Sequence, residues 1–255
     1  MIRITGLSLT LLVCSACSSV PMTVATSESA YKAGPDGLAD VACLYQTHAS
    51  NTESGQQDKL ADKQWYLWRQ GSSVEVKGQS SPIGEHWQRL KHNEVALTWL
   101  YHDHHFAVRY SPSALKLTGN QTDWTTKASI ISPALLKQLK KVGDSTVLGF
   151  AAERYQGHIG QYDLDITWIP ALSIPALIVQ QEDTGNRQQV SRVELIQVYP
   201  YQSAPWHPPS HDTYDDIDFA DLGDNEANPM VRLFMHGIEQ QQKTEGRTIQ
   251  YPHQH

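Results

Sequence analysis

Three groups of residues have the types and spacing to do chemistry. Cys14 and Cys17 stand in the C-x-x-C spacing of a thiol redox pair. His102-Asp103-His104-His105 sets imidazoles two apart, so on a strand His102 and His104 would share a face and could hold a transition metal. The run from Asp212 to Glu226 carries Asp216, Asp218 and Asp221, oxygen donors of the kind calcium takes. Each has a plainer account. A redox C-x-x-C belongs at a helix start inside a folded domain, and this one follows a hydrophobic run at the extreme N-terminus. The histidines fall between Tyr101 and Phe106, the tip of an expected hairpin, where polar residues are solvated. With Gly223 as the sixth residue of an EF-hand loop, Ala220 and Leu222 fall on ligand positions and Pro229 on the last, so that register fails. The chain has no Gly-x-Ser-x-Gly elbow, no His-Glu-x-x-His pair and no glycine-rich phosphate loop. No cofactor is called for. A metal-binding envelope protein, using either His102–His105 (His102 and His104) or the acidic 212–226 loop (Asp216, Asp218 and Asp221), stays a secondary alternative, and an envelope enzyme with a dispersed site another.

The N-terminus answers the cysteine question. Arg3 precedes an uncharged, mostly apolar run from Ile4 to Val13, too short to span a bilayer stably. Cys14-Ser15-Ala16-Cys17 then resembles the lipobox of bacterial lipoproteins, although Cys14 stands where that pattern usually has Leu. The resemblance implies a signal peptide over 1–16, lipidation of Cys17 and membrane attachment through that lipid. Ser18 and Ser19, with no Asp after the cysteine, imply the periplasmic side of the outer membrane. With a net charge of −7 the chain is a poor candidate for nucleic acid or for electrostatic adsorption to anionic lipid. Cys43 would have no partner for an internal disulfide and reads as a small buried hydrophobe.

These groups must be positioned by elements, and from Trp65 to Tyr199 the pattern has period two. Tyr162, Leu164, Ile166 and Trp168 share one face of a strand, as do Val95, Leu97, Trp99 and Tyr101 of another. Strands are expected at 65–70, 73–78, 86–91, 94–101, 105–110, 146–156, 162–169, 176–182 and 189–199. Ser132-Pro133 is a cap and first helical position, and Leu135, Leu136 and Leu139 extend one face toward Gly143, so a helix is expected over 132–142. A shorter start signal begins at Ser111-Pro112. Met230, Leu233, Phe234 and Ile238 predict a C-terminal helix over 229–242.

Within this pattern Val147-Leu148-Gly149, Tyr155-x-Gly157, the alternating strand ending in Trp168 and Leu172-x-x-Pro175 resemble the half-open β-barrel of the lipoprotein carrier and receptor proteins LolA and LolB, over roughly residues 60–200. The expected fold is α+β and mainly antiparallel: a curved half-open barrel with inserted helices and a C-terminal helix. Its divisions are a signal peptide at 1–16, a flexible tether at 17–42, the half-barrel at 43–200, a Pro-rich acidic segment at 201–228, the helix at 229–242 and a tail at 243–255. A helix of ten residues is about 15 Å long and a sheet of eight or nine strands about 40 Å wide, so part of the apolar face should stay uncovered. Trp99, Tyr162, Leu164, Ile166 and Trp168 are the residues expected to meet an apolar or acyl ligand there. The function expected is that of a non-enzymatic, lipid-anchored periplasmic binding or scaffolding protein, with an apolar ligand or an envelope protein as partner.

Overall fold

The computed structural model describes residues 30–53, 56–183 and 187–236. The signal segment, Cys17 and the tail lie outside them. Twelve strands form one curved, unclosed sheet in the order β12-β6-β5-β4-β3-β2-β1-β11-β10-β9-β8-β7. Eleven of them make two antiparallel meanders side by side, and the twelfth, β12 (Asp215–Asp218), adds a parallel edge to β6. The first comprises β1 (Val41–Glu53), β2 (Gln56–Gln70), β3 (Ser73–Gly78), β4 (Ile83–Arg89), β5 (Val95–Tyr101) and β6 (Phe106–Tyr110). The second comprises β7 (Lys140–Val147), β8 (Phe150–Ile159), β9 (Tyr162–Ile169), β10 (Ile174–Asp183) and β11 (Arg187–Pro200). The seam between them is β1 against β11, paired from Val41↔Pro200 to Glu53↔Arg187. Register shifts at Leu44/Tyr45, Ala49/Ser50, Pro175/Leu177 and Lys141/Gly143 add the local twist that curls the sheet.

Three short helices sit between the meanders: α1 (Pro112–Leu117), α2 (Trp124–Ser129) and α3 (Pro133–Leu136). Ser111, Asp123 and Ser132 cap them, each side chain accepting a backbone N–H of the first turn. The helices and the inner sheet face share one core, with Leu67, Val108, Leu115, Trp124, Phe150, Ile166 and Phe234 among its buried members. The 229–236 helix buries Val231 and Phe234 but leaves Leu233 39% exposed, so its inward stripe is shifted from the expected one; Ile238 lies outside the described residues.

Several expectations are corrected. The helix expected over 132–142 ends at Leu136, and Lys140–Val147 is the edge strand β7. Two tertiary contacts override the helical periodicity: β8 needs an edge partner, and Leu139 packs where a Cβ on Gly157 would lie 2.9 Å from its Cδ2. The tether does not run to residue 42. Tyr31 is buried, Ala33 bridges Ala39, and β1 starts at Val41. The acidic segment also contains a strand, β12 (Asp215–Asp218), which lies parallel to β6, from Asp215↔Phe106 to Asp218↔Arg109.

Candidate functional site

One end of the half-barrel is sealed. Arg69, 1% exposed, donates to the carbonyls of Ala39 (2.8 Å), Ala128 (2.6 Å), Leu172 (2.6 Å) and Ser173 (3.4 Å). It thereby ties the N-terminal segment, the end of α2 and the β9–β10 turn together. Burial lowers its pKa, and four carbonyl partners satisfy donors that no water reaches. The Trp124 indole donates to Asp36 Oδ2 at 2.7 Å, and the Gly71 N–H to Asp40 Oδ1 at 2.8 Å. Cys43 is buried beside this plug, and desolvation pushes its thiol up to about 12, the protonated and unreactive state expected of a buried cysteine.

Toward the other end the inner face keeps an apolar cleft. Ile159, Tyr162, Leu164, Ile166 and Ile178 line it from β8, β9 and β10, and Ile131 and Leu135 from the helical segment, with Gln180 at its margin. Ile130, at φ 65, an uncommon conformation for a β-branched residue, turns the chain out of α2 just before Ile131 enters the lining. As it stands the cleft has room for roughly one water molecule. Ser191, the cross-strand partner of Gln180, is buried with a hydroxyl that has no partner.

Three of the five ligand residues expected from sequence, Tyr162, Leu164 and Ile166, line this cleft together. The other two are elsewhere: Trp168 is buried in the core at 7% exposure, and Trp99 packs against the core beside Val108. Ile131, Leu135, Ile159 and Ile178 were missed. Each was an ordinary apolar residue in the sequence, and only the pairing of β8, β9 and β10 under α3 collects them.

The metal candidates are not gathered. Among the described residues no three His, Cys, Asp or Glu side chains are placed to hold an ion. His102 is not solvated at a hairpin tip as expected: its Nδ1 lies 3.0 Å from the Tyr214 hydroxyl and its Nε2 is buried. His104 is exposed in the 3-10 turn His102–His104. Asp216 pairs with Arg109 at 2.8 Å, Asp218 caps the N–H of Ala220, and Asp221 presents its backbone carbonyl to Asn225.

On the outer face residues 201–218 form a strap across the first meander. Trp206 sits on Tyr66, Trp68 and Tyr199, and its carbonyl accepts from the Trp68 indole at 3.3 Å. His211 Nε2 lies 3.5 Å from Glu75 Oε2, and its ring is 5.0 Å from that of His86, whose Nε2 is 2.6 Å from Ser73 Oγ. Tyr214 covers His102, and β12 then joins β6. Phe219 stacks on Tyr110 at 4.4 Å and Leu222 is buried, so the chain turns round the β6 edge onto the inner face.

Fold and site together define a half-open barrel, plugged at one end, with a small apolar cleft toward the other. No family model and no curated protein matches the chain. Solved structures give partial likenesses. PNGF-II is 12% identical over 71% of this chain and 32% of its own, with a TM-score of 0.36, so the chain spans about a third of that protein's length. The MucA/MucB complex of Pseudomonas aeruginosa is 14% identical, covering 66% and 62%, with a TM-score of 0.33. A putative outer membrane lipoprotein-sorting protein domain from Vibrio parahaemolyticus is 4% identical, covering 68% and 89%, with a TM-score of 0.28. Among the described residues no helix is long and apolar enough to cross a membrane.

Proposed function

We propose that this chain is a lipid-anchored, periplasm-facing outer-membrane protein, acylated on Cys17, whose half-barrel binds an apolar or acyl ligand and performs no chemistry on it. One observation carries the ligand: the cleft lining is apolar apart from Gln180 and the Tyr162 hydroxyl, and two of its walls lie outside the sheet, Ile131 in the turn between α2 and α3 and Leu135 in the four-residue α3. Short helices are held by packing more than by their own hydrogen bonds. Outward movement of Ile131 and Leu135 would lengthen the cleft over Leu164 and Ile166, and each buried methylene of a ligand then contributes about 0.8 kcal/mol. Burying about ten methylenes would contribute about 8 kcal/mol before the cost of association, so micromolar affinity, about 8 kcal/mol net, calls for a long-chain ligand rather than a ten-carbon one.

The test is titration of the purified chain with a long-chain fatty acid and with a fluorescent apolar probe. Binding near the micromolar range is expected. Leu135→Ala, which widens the cleft, should tighten it, and Ile166→Trp, which fills the cleft, should weaken it at least tenfold without unfolding the protein. If wild type and Leu135→Ala both leave the probe free, the ligand reading is wrong. The anchor has its own test: Cys17→Ser should move the protein from the membrane to the soluble periplasmic fraction, because one or no acyl chain holds a protein only marginally.

A further inference from the structure

The strap lies over a group of titratable side chains, none of which lines the cleft. Glu75 is at its centre, with its side chain 5% exposed; Oε2 faces His211 of the strap and Oε1 has no partner. A carboxylate this deeply buried needs a cation, and the strap supplies it. Around the pair stand Lys77 on β3, His86 on β4, and His102, Asp103 and His105 beyond β5, with Asp212 and Tyr214 on the strap itself; Tyr201 and Asp40 lie within electrostatic reach of one another and Tyr201 of Glu75. His86 and His102 thus face a third imidazole whose protonated form the Glu75 hydrogen bond favours. Neither has a carboxylate bonded to it: His86 meets the Ser73 hydroxyl and His102 the Tyr214 hydroxyl. Gly84 leaves the room that His102 Nε2 occupies, since a Cβ there would lie 2.8 Å from it.

We propose that residues 201–218 are a pH-sensitive strap, docked when His211 is protonated and His86 and His102 are neutral, and released when His86 and His102 take up protons. Release uncovers the aromatic patch of Tyr66, Trp68 and Tyr199 and the edge of β6 that β12 covers.

The direction follows from proton linkage. The Glu75 hydrogen bond raises the pKa of His211, so its contribution to docking is complete below the imidazole's ordinary value of 6.5 and is lost as the pH rises through the raised value. Desolvation, with His211 opposite, lowers His86 to about 4; desolvation, with Lys77 and His211 nearby, lowers His102 to about 4. A released strap exposes both rings to water and returns them toward 6.5. The released state then binds more protons between pH 6.5 and 4, and acid favours it over that interval. Docking is tightest near pH 6.5 and weaker on both sides.

Hydrogen exchange of the full-length chain, corrected for intrinsic rates, tests this. Protection of the β12 amides and of the β6 amides that pair with them should fall at least tenfold between pH 6.5 and 4.5, while β1, β2 and β11 keep theirs. His86→Gln and His102→Gln retain polar side chains that do not titrate, and either should flatten the acid loss; the pair should abolish it. His211→Gln should lower strap protection at pH 6.5 and remove the loss on the alkaline side. Loss of protection in the core at the same pH as in the strap, or an acid loss unchanged in the double variant, would overturn the proposal.

Discussion

The two ends of the half-barrel are built on opposite principles. At the plugged end a charged side chain is fully buried and its donors are matched to backbone carbonyls from three separate segments. At the cleft end the lining is mostly aliphatic, with polar atoms only on Gln180 and Tyr162, and the buried hydroxyl of Ser191, the cross-strand partner of Gln180, has no partner. Directional bonds fix one geometry, because an unpaired buried carbonyl is costly. Aliphatic contacts are non-directional and tolerate repacking. The plugged end should therefore be rigid and intolerant of substitution, and the cleft end adaptable.

Arg69→Met should have the largest effect. It strands the carbonyls of Ala39, Ala128 and Leu172, and a loss on the order of 4 kcal/mol is expected in urea unfolding; under 1 kcal/mol would mean the plug is not held by these bonds. A matched pair of truncations comes next. Leu172→Ala, at the plug and 1% exposed, should cost about 3 kcal/mol, while Leu135→Ala should cost about half that because one side of Leu135 already faces the cleft rather than packed atoms. Equal costs would erase the distinction between the ends. Alkaline pH gives a smaller effect. Desolvation pushes Tyr31 and Cys43, both at the plug, up to about 12, so the stability they contribute is complete below their ordinary values and is lost as the pH rises toward 12. Between pH 9 and 11 the Tm should fall by several degrees, roughly what 1–2 kcal/mol does in a chain of this size, and Cys43 should resist alkylation until unfolding. Ser191→Ala should change stability least, by under about 0.5 kcal/mol, since the hydroxyl it removes has no bond to lose.

The difference between the ends also bears on what could be read in the sequence. Strands with one dry and one wet face announce themselves: Val95–Tyr101, Phe106–Tyr110 and Tyr162–Ile169 follow the expected bounds within a residue. All of β1 was missed, because beyond Tyr45 "QTHASNTE" lacks large apolar residues to alternate and its pairing with β11 lies far along the chain. The start of β7, residues 140–142, was read as the end of a helix because the preceding leucines fit a 3.6 period, and only the free edge of β8 decides otherwise. Of the cleft, the three residues on one strand were visible and the five contributed by other elements were not. Arg69 carried no sign of its role: its partners are carbonyls, which every residue has. The strap's contacts were invisible for a related reason, since His211–Glu75 and Tyr214–His102 join a proline-rich stretch to strands far earlier in the chain.

The seam between the meanders sets the order in which this molecule can be assembled. Each meander is built from neighbours in sequence and can form as hairpins, but β1 meets β11 only when Val41 and Pro200 come together. A loop of that length must close before its contacts stabilise anything, which makes the seam a slow step. A chain that emerges N-terminus first presents β1 with one edge paired to β2 and the other bare until β11 has followed. That bare edge is thirteen residues long and is the stretch most exposed to mispairing with another copy. Folding yield should therefore depend on protein concentration and on any factor that shields β1 during the wait, more than on the stability of the finished sheet.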